Sequence, residues 1–137
     1  SQSLESVQAA IAAARTMLGQ MHDRQSALIV ITSLRTSDLP ADQIATLAVT
    51  ANNAWLVQTP YIDLHPLPNG MGDVFAAVLL GHLLQDKSIA DAVSRAVSSL
   101  YALVSRTQPG QRDLPLVACR EQINAPAQIF AAEPVAG

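Results

Sequence analysis

The run Ala27-Leu28-Ile29-Val30-Ile31 is the feature that most narrows what this chain can fold into. It is short, largely β-branched, and does not alternate apolar with polar. A strand with one solvated face shows period-two alternation, whereas a continuous run of this kind fits a strand buried on both faces, as in the interior of a parallel sheet. Thr32 and Ser33 end the run and put hydroxyls at its C-terminal edge, the edge beyond which open α/β sheets bind ligands. Upstream, Leu4, Val7, Ile11, Ala14 and Leu18 recur every three or four residues and predict an amphipathic helix, with Gly19 as its stop.

Two further runs, Ile44 to Thr50 and Ala54 to Thr59, flank Asn52-Asn53 and predict a hairpin, because Asn tolerates the positive φ of tight turns. Pro60, Pro66 and Pro68 then break regular structure. Gly70-Met71-Gly72-Asp73 leads into an apolar helical run ending near Leu84. Ser88, with Asp91 three residues on, caps a further helix whose Ile89, Val93, Ala96, Leu100 and Leu103 share one face. Gln108-Pro109-Gly110 reads as a loop, Asp113 as the cap of a short last helix, and the tail from Ala125 as extended. The order predicts an α/β fold.

At 137 residues the chain is expected to form one domain. Its charged fraction is 14% against a hydrophobic fraction of 50%. An ordinary soluble domain carries about 25% charged residues, so this chain lacks solvating groups and must either enter a membrane or meet another protein surface. The longest apolar stretch, Val74 to Leu84, is interrupted by Gly81 and His82 and falls short of the ~20 residues that span a bilayer. Docking on protein is the better reading. A net charge of −3 and a single lysine, Lys87, leave no basic patch for nucleic acid. Cys119 stands alone, so neither an internal disulfide nor a cysteine zinc cluster is expected. The N-terminus lacks the order of a signal peptide, and the cytoplasm is the expected compartment. His22, His65 and His82 have no metal-ligand spacing, so no metal site is assigned. Trp55 reads as a packing residue, Asp38 and Asp42 as turn or cap residues, and Arg35 and Arg106 as solvated.

Asn69-Gly70-Met71-Gly72-Asp73 is the segment that can carry chemistry. Successive backbone N–H groups at a helix start, with glycines permitting close approach, make an anion site. A carboxylate in the same turn can take the proton from a hydroxyl aimed at phosphorus. Phosphoryl transfer needs both: a cradle for the phosphate oxygens and a base on the nucleophile. On the motif alone a plain turn is the favoured reading, since Asn-Gly is a common turn dipeptide and Asp suits a helix N-terminus without catalysis.

From Ala27 onward the chain resembles the C-terminal half of pyridoxal kinases, members of the ribokinase superfamily. The resemblance rests on Ile31-Thr32-Ser33, then on the hairpin ending Trp55-Leu56-Val57-Gln58-Thr59-Pro60. It continues through Asn69 to Ala77 with Leu79-Leu80 and Leu83-Leu84, the helix Ala92 to Arg106 with Thr107, and the tail near Leu114, Val117, Ile123, Pro126 and Phe130. It implies part of a ribokinase-like three-layer αβα sandwich, with the N-terminal half missing. It implies ATP-dependent phosphorylation of the 5′-hydroxyl of pyridoxal, pyridoxine or pyridoxamine, with Mg2+ and with K+ as activator.

Residue by residue, the resemblance makes Asp73 the catalytic base, acting on the substrate hydroxyl, and Gly70, Met71 and Gly72 the anion hole. Thr32 and Ser33 match nucleotide-contacting positions, and Leu64 and Leu67 lie on the loop bordering the adenine. The chain departs from the family at Met71, where Thr or Ser is usual: the backbone N–H survives that change and a hydroxyl contact does not. No counterpart of the family's Asp-Pro-Val-x-Gly or Thr-x-Asn-x-x-Glu segments is found, and these carry much of its metal environment. The isolated chain is therefore expected to be incomplete and inactive, pairing with its missing half or with a second copy as a homodimer. Two alternatives remain: a non-catalytic nucleotide-binding fragment, and another ribokinase-type kinase acting on a sugar, a nucleoside or hydroxymethylpyrimidine.

Overall fold

A computed structural model describes residues 6–21, 27–62, 70–107, 121, 125–126 and 128–135. The chain falls into two compact units: Ser1–Tyr61 with Ala132–Gly137, and Ile62–Ala131.

The first unit opens with helix α1, Val7–Gly19. Its period-3.6 pattern buries Val7, Ala10, Ile11, Ala14 and Leu18. Two residues satisfy its first N–H groups. The Ser6 hydroxyl accepts from Ala9 N–H at 3.0 Å, and the Asp38 carboxylate accepts from Val7 N–H at 3.2 and 3.3 Å. Asp38 is thus a helix cap, as read from the sequence, but it caps a helix 31 positions upstream.

Strands β1 (Ile29–Leu34), β2 (Gln43–Val49), β3 (Ala54–Pro60) and β4 (Glu133–Pro134) form one sheet in the order β1-β2-β3-β4. Every pairing is antiparallel. The hairpin predicted around Asn52-Asn53 is present, with register from Gln43 opposite Pro60 to Val49 opposite Ala54. Its turn is made differently from the expectation. Among the described residues only Ser33 and Asp86 are non-glycines with positive φ. The loop is instead closed by Thr50, whose N–H donates to the Asn53 carbonyl at 2.9 Å and whose hydroxyl accepts from Asn53 N–H at 3.1 Å. The tail is extended as expected at Glu133–Pro134, which lie opposite Leu56 and Trp55.

The run Ala27 to Ile31 requires a correction. It does lead into a strand, but β1 is antiparallel to β2 and lies at the margin of the described sheet. The connection over residues 35–42 has no room for the crossover of a dozen or more residues that a parallel neighbour needs. Ile29, Val30 and Ile31 are accordingly only half-buried. β2 is the strand with the near-continuous burial expected of an interior position, from Ala45 to Val49. One core cluster joins α1 to Leu34, Ala45, Leu47, Val49, Ala54 and Leu56, so α1 covers the face these strands share.

The second unit contains α2 (Met71–Leu84) and α3 (Ile89–Ser105), which pack on each other. Ser88 caps α3, accepting from Asp91 N–H at 3.1 Å, as the sequence predicts. The buried face of α3 includes Val93, Ala96 and Leu103, and extends to Ser94, Ser98 and Ser99. The serines are there for a reason the periodicity does not show. The Ser98 hydroxyl accepts from Phe130 N–H at 2.9 Å, and the Ser94 hydroxyl donates to the Phe130 carbonyl at 2.5 Å. The helix thereby pairs both backbone groups of a chain segment 32 and 36 positions away. Tyr101 meets the Phe130 ring edge-on, with centroids 4.8 Å apart. Gln108-Pro109-Gly110, Asp113 and Cys119 lie outside the described residues.

Candidate functional site

Glycine decides the entry to α2. Gly70, its N-cap, has φ 86 and ψ 5, a left-handed conformation that side chains with a Cβ adopt at a cost. The N-cap of α1 and that of α3 are serines whose hydroxyls accept from the helix, whereas the N-cap of α2 is a glycine with no side chain to do so. The first N–H groups of a helix have no carbonyl one turn earlier. Among the described residues no side chain accepts those of Met71, Gly72 and Asp73, while Val74 N–H donates to the Gly70 carbonyl at 2.9 Å. Among the described residues, a Cβ placed on Gly70 or Gly72 would meet nothing within 4 Å.

Met71 departs from the family's Thr or Ser without disturbing this geometry. Its side chain packs with Val74, Ile62 and Leu100 against Leu103 and Val104. The half-buried Met71 side chain thus belongs to the α2–α3 cluster. Asp73 is exposed in the first turn, where the helix dipole favours its negative charge. Gly70, Met71, Gly72 and Asp73 thus form the entry turn of α2.

Thr32 and Ser33 lie in the other unit, both exposed near the end of β1. Ser33 has φ 56, and the β1–β2 register breaks between Ile31 and Leu34. A serine in the left-handed region is uncommon and costs about 1 kcal/mol or more, and such positions concentrate at ligand sites. Nothing in the sequence around Ser33 signals this conformation. Leu64 and Leu67 lie outside the described residues. Arg35 and Arg106 are occupied locally rather than only solvated. Arg35 donates to the Ala41 carbonyl at 2.9 Å and stands 4.0 Å over the Tyr61 ring, and Arg106 donates to the Ala102 carbonyl at 3.1 Å.

His82, in the last turn of α2, is buried and its Nδ1 has no partner among the described residues. Burial lowers its pKa below the ordinary histidine range, helped by the Lys87 and Arg95 charges and opposed by Asp91. It is a packed histidine. Among the described residues no group of three His, Cys, Asp or Glu could hold a metal ion. Nor is any helix among them long and apolar enough to cross a membrane.

No family profile matches the chain. It is 38% identical over 135 residues to the pyridoxal kinase PdxY of Deinococcus radiodurans, covering 98% of this chain and 45% of that protein. It is 40% identical over 129 residues to the pyridoxal kinase PdxY of Rubrobacter xylanophilus, covering 93% of this chain and 42% of that protein. The fold is similar to that of the Leishmania donovani pyridoxal kinase in complex with ADP and pyridoxamine, with a TM-score of 0.81 at 23% identity, over 97% of this chain and 45% of that one. The chain spans less than half the length of the relatives it matches. In sequence and in fold, the chain is thus similar over nearly all of its own length to a part of pyridoxal kinases.

Proposed function

We propose that this chain is the nucleotide-binding, base-bearing portion of a kinase that moves the γ-phosphoryl group of ATP to the 5′-hydroxyl of pyridoxal, pyridoxine or pyridoxamine. Residues 1–137 then form one portion of a ribokinase-like domain working in vitamin B6 salvage in the cytoplasm. The observation that carries the reading is the turn Gly70–Asp73: a left-handed glycine as N-cap, a helix start that no described side chain caps, and an exposed carboxylate in the same turn.

In this reading the N–H groups of Met71, Gly72 and Asp73 stabilise charge on the transferring phosphoryl oxygens, and Gly72 lets the phosphate approach the backbone. Asp73 accepts the proton of the attacking 5′-hydroxyl. Thr32 and Ser33 contact the nucleotide, and Leu64 and Leu67 border the adenine. That no described residue lies within 4 Å of a Cβ placed on Gly70 or Gly72 supports the close approach this reading needs. Mg2+ and the activating K+ belong to this reading as cofactors, and neither carries a step here. The rest of the kinase fold is the partner, and a homodimer forms from the completed subunit.

A phosphorylation assay on the purified chain, alone and joined to the part of the Deinococcus radiodurans relative that it does not match, tests this. The joined molecule is expected to phosphorylate pyridoxal and the isolated chain is not, because half a site cannot position both reactants. Robust turnover by the isolated chain, or none by a folded joined molecule, overturns the reading. A second reading comes from the similar fold of a putative phosphomethylpyrimidine kinase of Bacteroides thetaiotaomicron, with a TM-score of 0.76 at 20% identity. Substrate profiling against hydroxymethylpyrimidine separates the two.

A further inference from the structure

Strand β1 changes faces partway along. Ile29 and Ile31 pack on the core that α1 covers, and so does Leu34, although strict alternation would skip it. The pairing gives the reason. Ile31 lies opposite Leu47 and Leu34 opposite Ala45, so Thr32 and Ser33 together stand against Thr46 alone. That is a β-bulge, and its extra residue is accommodated by Ser33 at φ 56. In an unbulged strand Ser33 would follow Ile31 onto the α1 face, and Leu34 would point away from it. The bulge keeps both hydroxyl residues exposed and still returns Leu34 to the core. A serine in the left-handed region persists only where its surroundings hold it. Buried Leu34 is one hold. Arg35 is another: its guanidinium donates to the Ala41 carbonyl at 2.9 Å and lies 4.0 Å over the Tyr61 ring. Tyr61 is itself anchored, its N–H donating to the Asp42 carbonyl at 2.9 Å.

We infer that Arg35, stacked on Tyr61, is a positioning residue for the nucleotide: it holds the bulge in the shape that presents Thr32 and Ser33 side by side. In the kinase reading above, on which this inference rests, those two residues contact the nucleotide. Arg35 and Tyr61 are both exposed, so their pairing adds little to the core and needs another reason. The planar guanidinium lies on an aromatic face and reaches a carbonyl at once, which a lysine does not reproduce. The clasp also closes two positions after Ser33, so a change of torsion at Ser33 moves Arg35 directly, and fixing Arg35 opposes that change. Without the clasp, Ser33 is free to return to extended backbone and turn its hydroxyl away from that of Thr32. A nucleotide that needs both must then select the bulged molecules, and its apparent affinity falls by the fraction they represent.

Nuclear magnetic resonance of the chain, beside ADP titration and kinetics of the joined molecule, provides the test. In the chain, the Ser33 Cα resonance reports the left-handed backbone. Arg35→Ala and Tyr61→Leu are each expected to shift it towards extended-strand values, and Tyr61→Phe, which keeps the ring face, to leave it in place. In the joined molecule, Arg35→Ala and Tyr61→Leu are expected to raise the KM for ATP and weaken ADP binding by about three- to tenfold, with kcat within about twofold of the parent. Tyr61→Phe is expected to match the parent. Tyr61→Leu is the decisive change, because it removes the stack and keeps the positive charge. If Arg35→Ala weakens binding, Arg35→Lys restores it and Tyr61→Leu has no effect, Arg35 acts through its charge and the inference falls. It falls alone if the parent binds ADP and the Ser33 resonance stays in place in both variants. A folded joined parent that binds no ADP overturns the kinase reading, and the nucleotide role of Arg35 with it.

Discussion

The Asp38 carboxylate accepts the first N–H of α1 from Val7, at 3.2 Å, and ties the loop after β1 to the start of a helix 31 positions earlier. The Thr36 hydroxyl donates to the same carboxylate. The Thr36 bond first, and the Val7 N–H second, hold the Asp38 carboxyl below the usual carboxylate range. A depressed folded-state pKa contributes stability that is fully present above the unfolded value and is lost as pH falls through the folded one. Asp38→Asn is therefore expected to lower the melting temperature at neutral pH. The gap to the parent should close as pH falls below about 4. A gap that stays constant into acid would assign the effect to something other than the charged cap.

Asp73→Asn in the joined molecule is expected to reduce phosphoryl transfer by about 10²–10⁴-fold, the usual contribution of a general base. ADP affinity should stay close to the parent, because the N–H groups at the helix start are unchanged. Turnover near that of the parent would remove Asp73 from the chemistry.

Gly72 and Met71 should respond in opposite ways. Gly72 lies within α2 and no described residue lies within 4 Å of a Cβ placed on it, so Gly72→Leu should stabilise the helix slightly, by up to about 1 kcal/mol. The same change should weaken ADP binding by obstructing backbone approach to phosphate. Met71→Leu should leave binding alone and act on packing, because Met71 is seated in the α2–α3 core. Calorimetric titration with ADP beside thermal melts separates the two. Equal ADP affinities would argue against a backbone anion hole.

His82 should make the chain acid-sensitive. Burial, then the charges of Lys87 and Arg95, hold its pKa down in the folded state. The unfolded state binds the proton first, so His82 favours folding above about pH 6.5 and that contribution falls away below it. His82→Gln should reduce the difference in melting temperature between about pH 7.5 and about pH 5. His22 and His65 remain in both proteins, so the change isolates His82.

The elements whose signals are local were legible in the sequence. α1 and α3 follow from their apolar periodicity, α3 also from its Ser88 cap, and the β2–β3 hairpin from two apolar runs closed by a short polar turn. The Gly70–Asp73 turn follows from two glycines and an aspartate ahead of an apolar helix. Its weight as a site came from the order of many matching segments, because four residues do not distinguish an anion hole from an ordinary turn.

What only the tertiary structure decided depends on contacts between residues far apart in the chain. The run Ala27 to Ile31 carries the composition of an interior parallel strand, yet β1 lies antiparallel at the sheet margin, because strand direction is set by the length of the connection and by pairing. Asp38 reads as a cap without naming its helix, and Ser94 and Ser98 read as polar interruptions until Phe130 arrives to pair with them. The left-handed Ser33 has no local signature either. In α2, apolar residues on every side announce burial but not direction. Only packing against α3 shows that Phe75 and Leu79 face inward and leave Asp73, Leu80 and Leu84 outside.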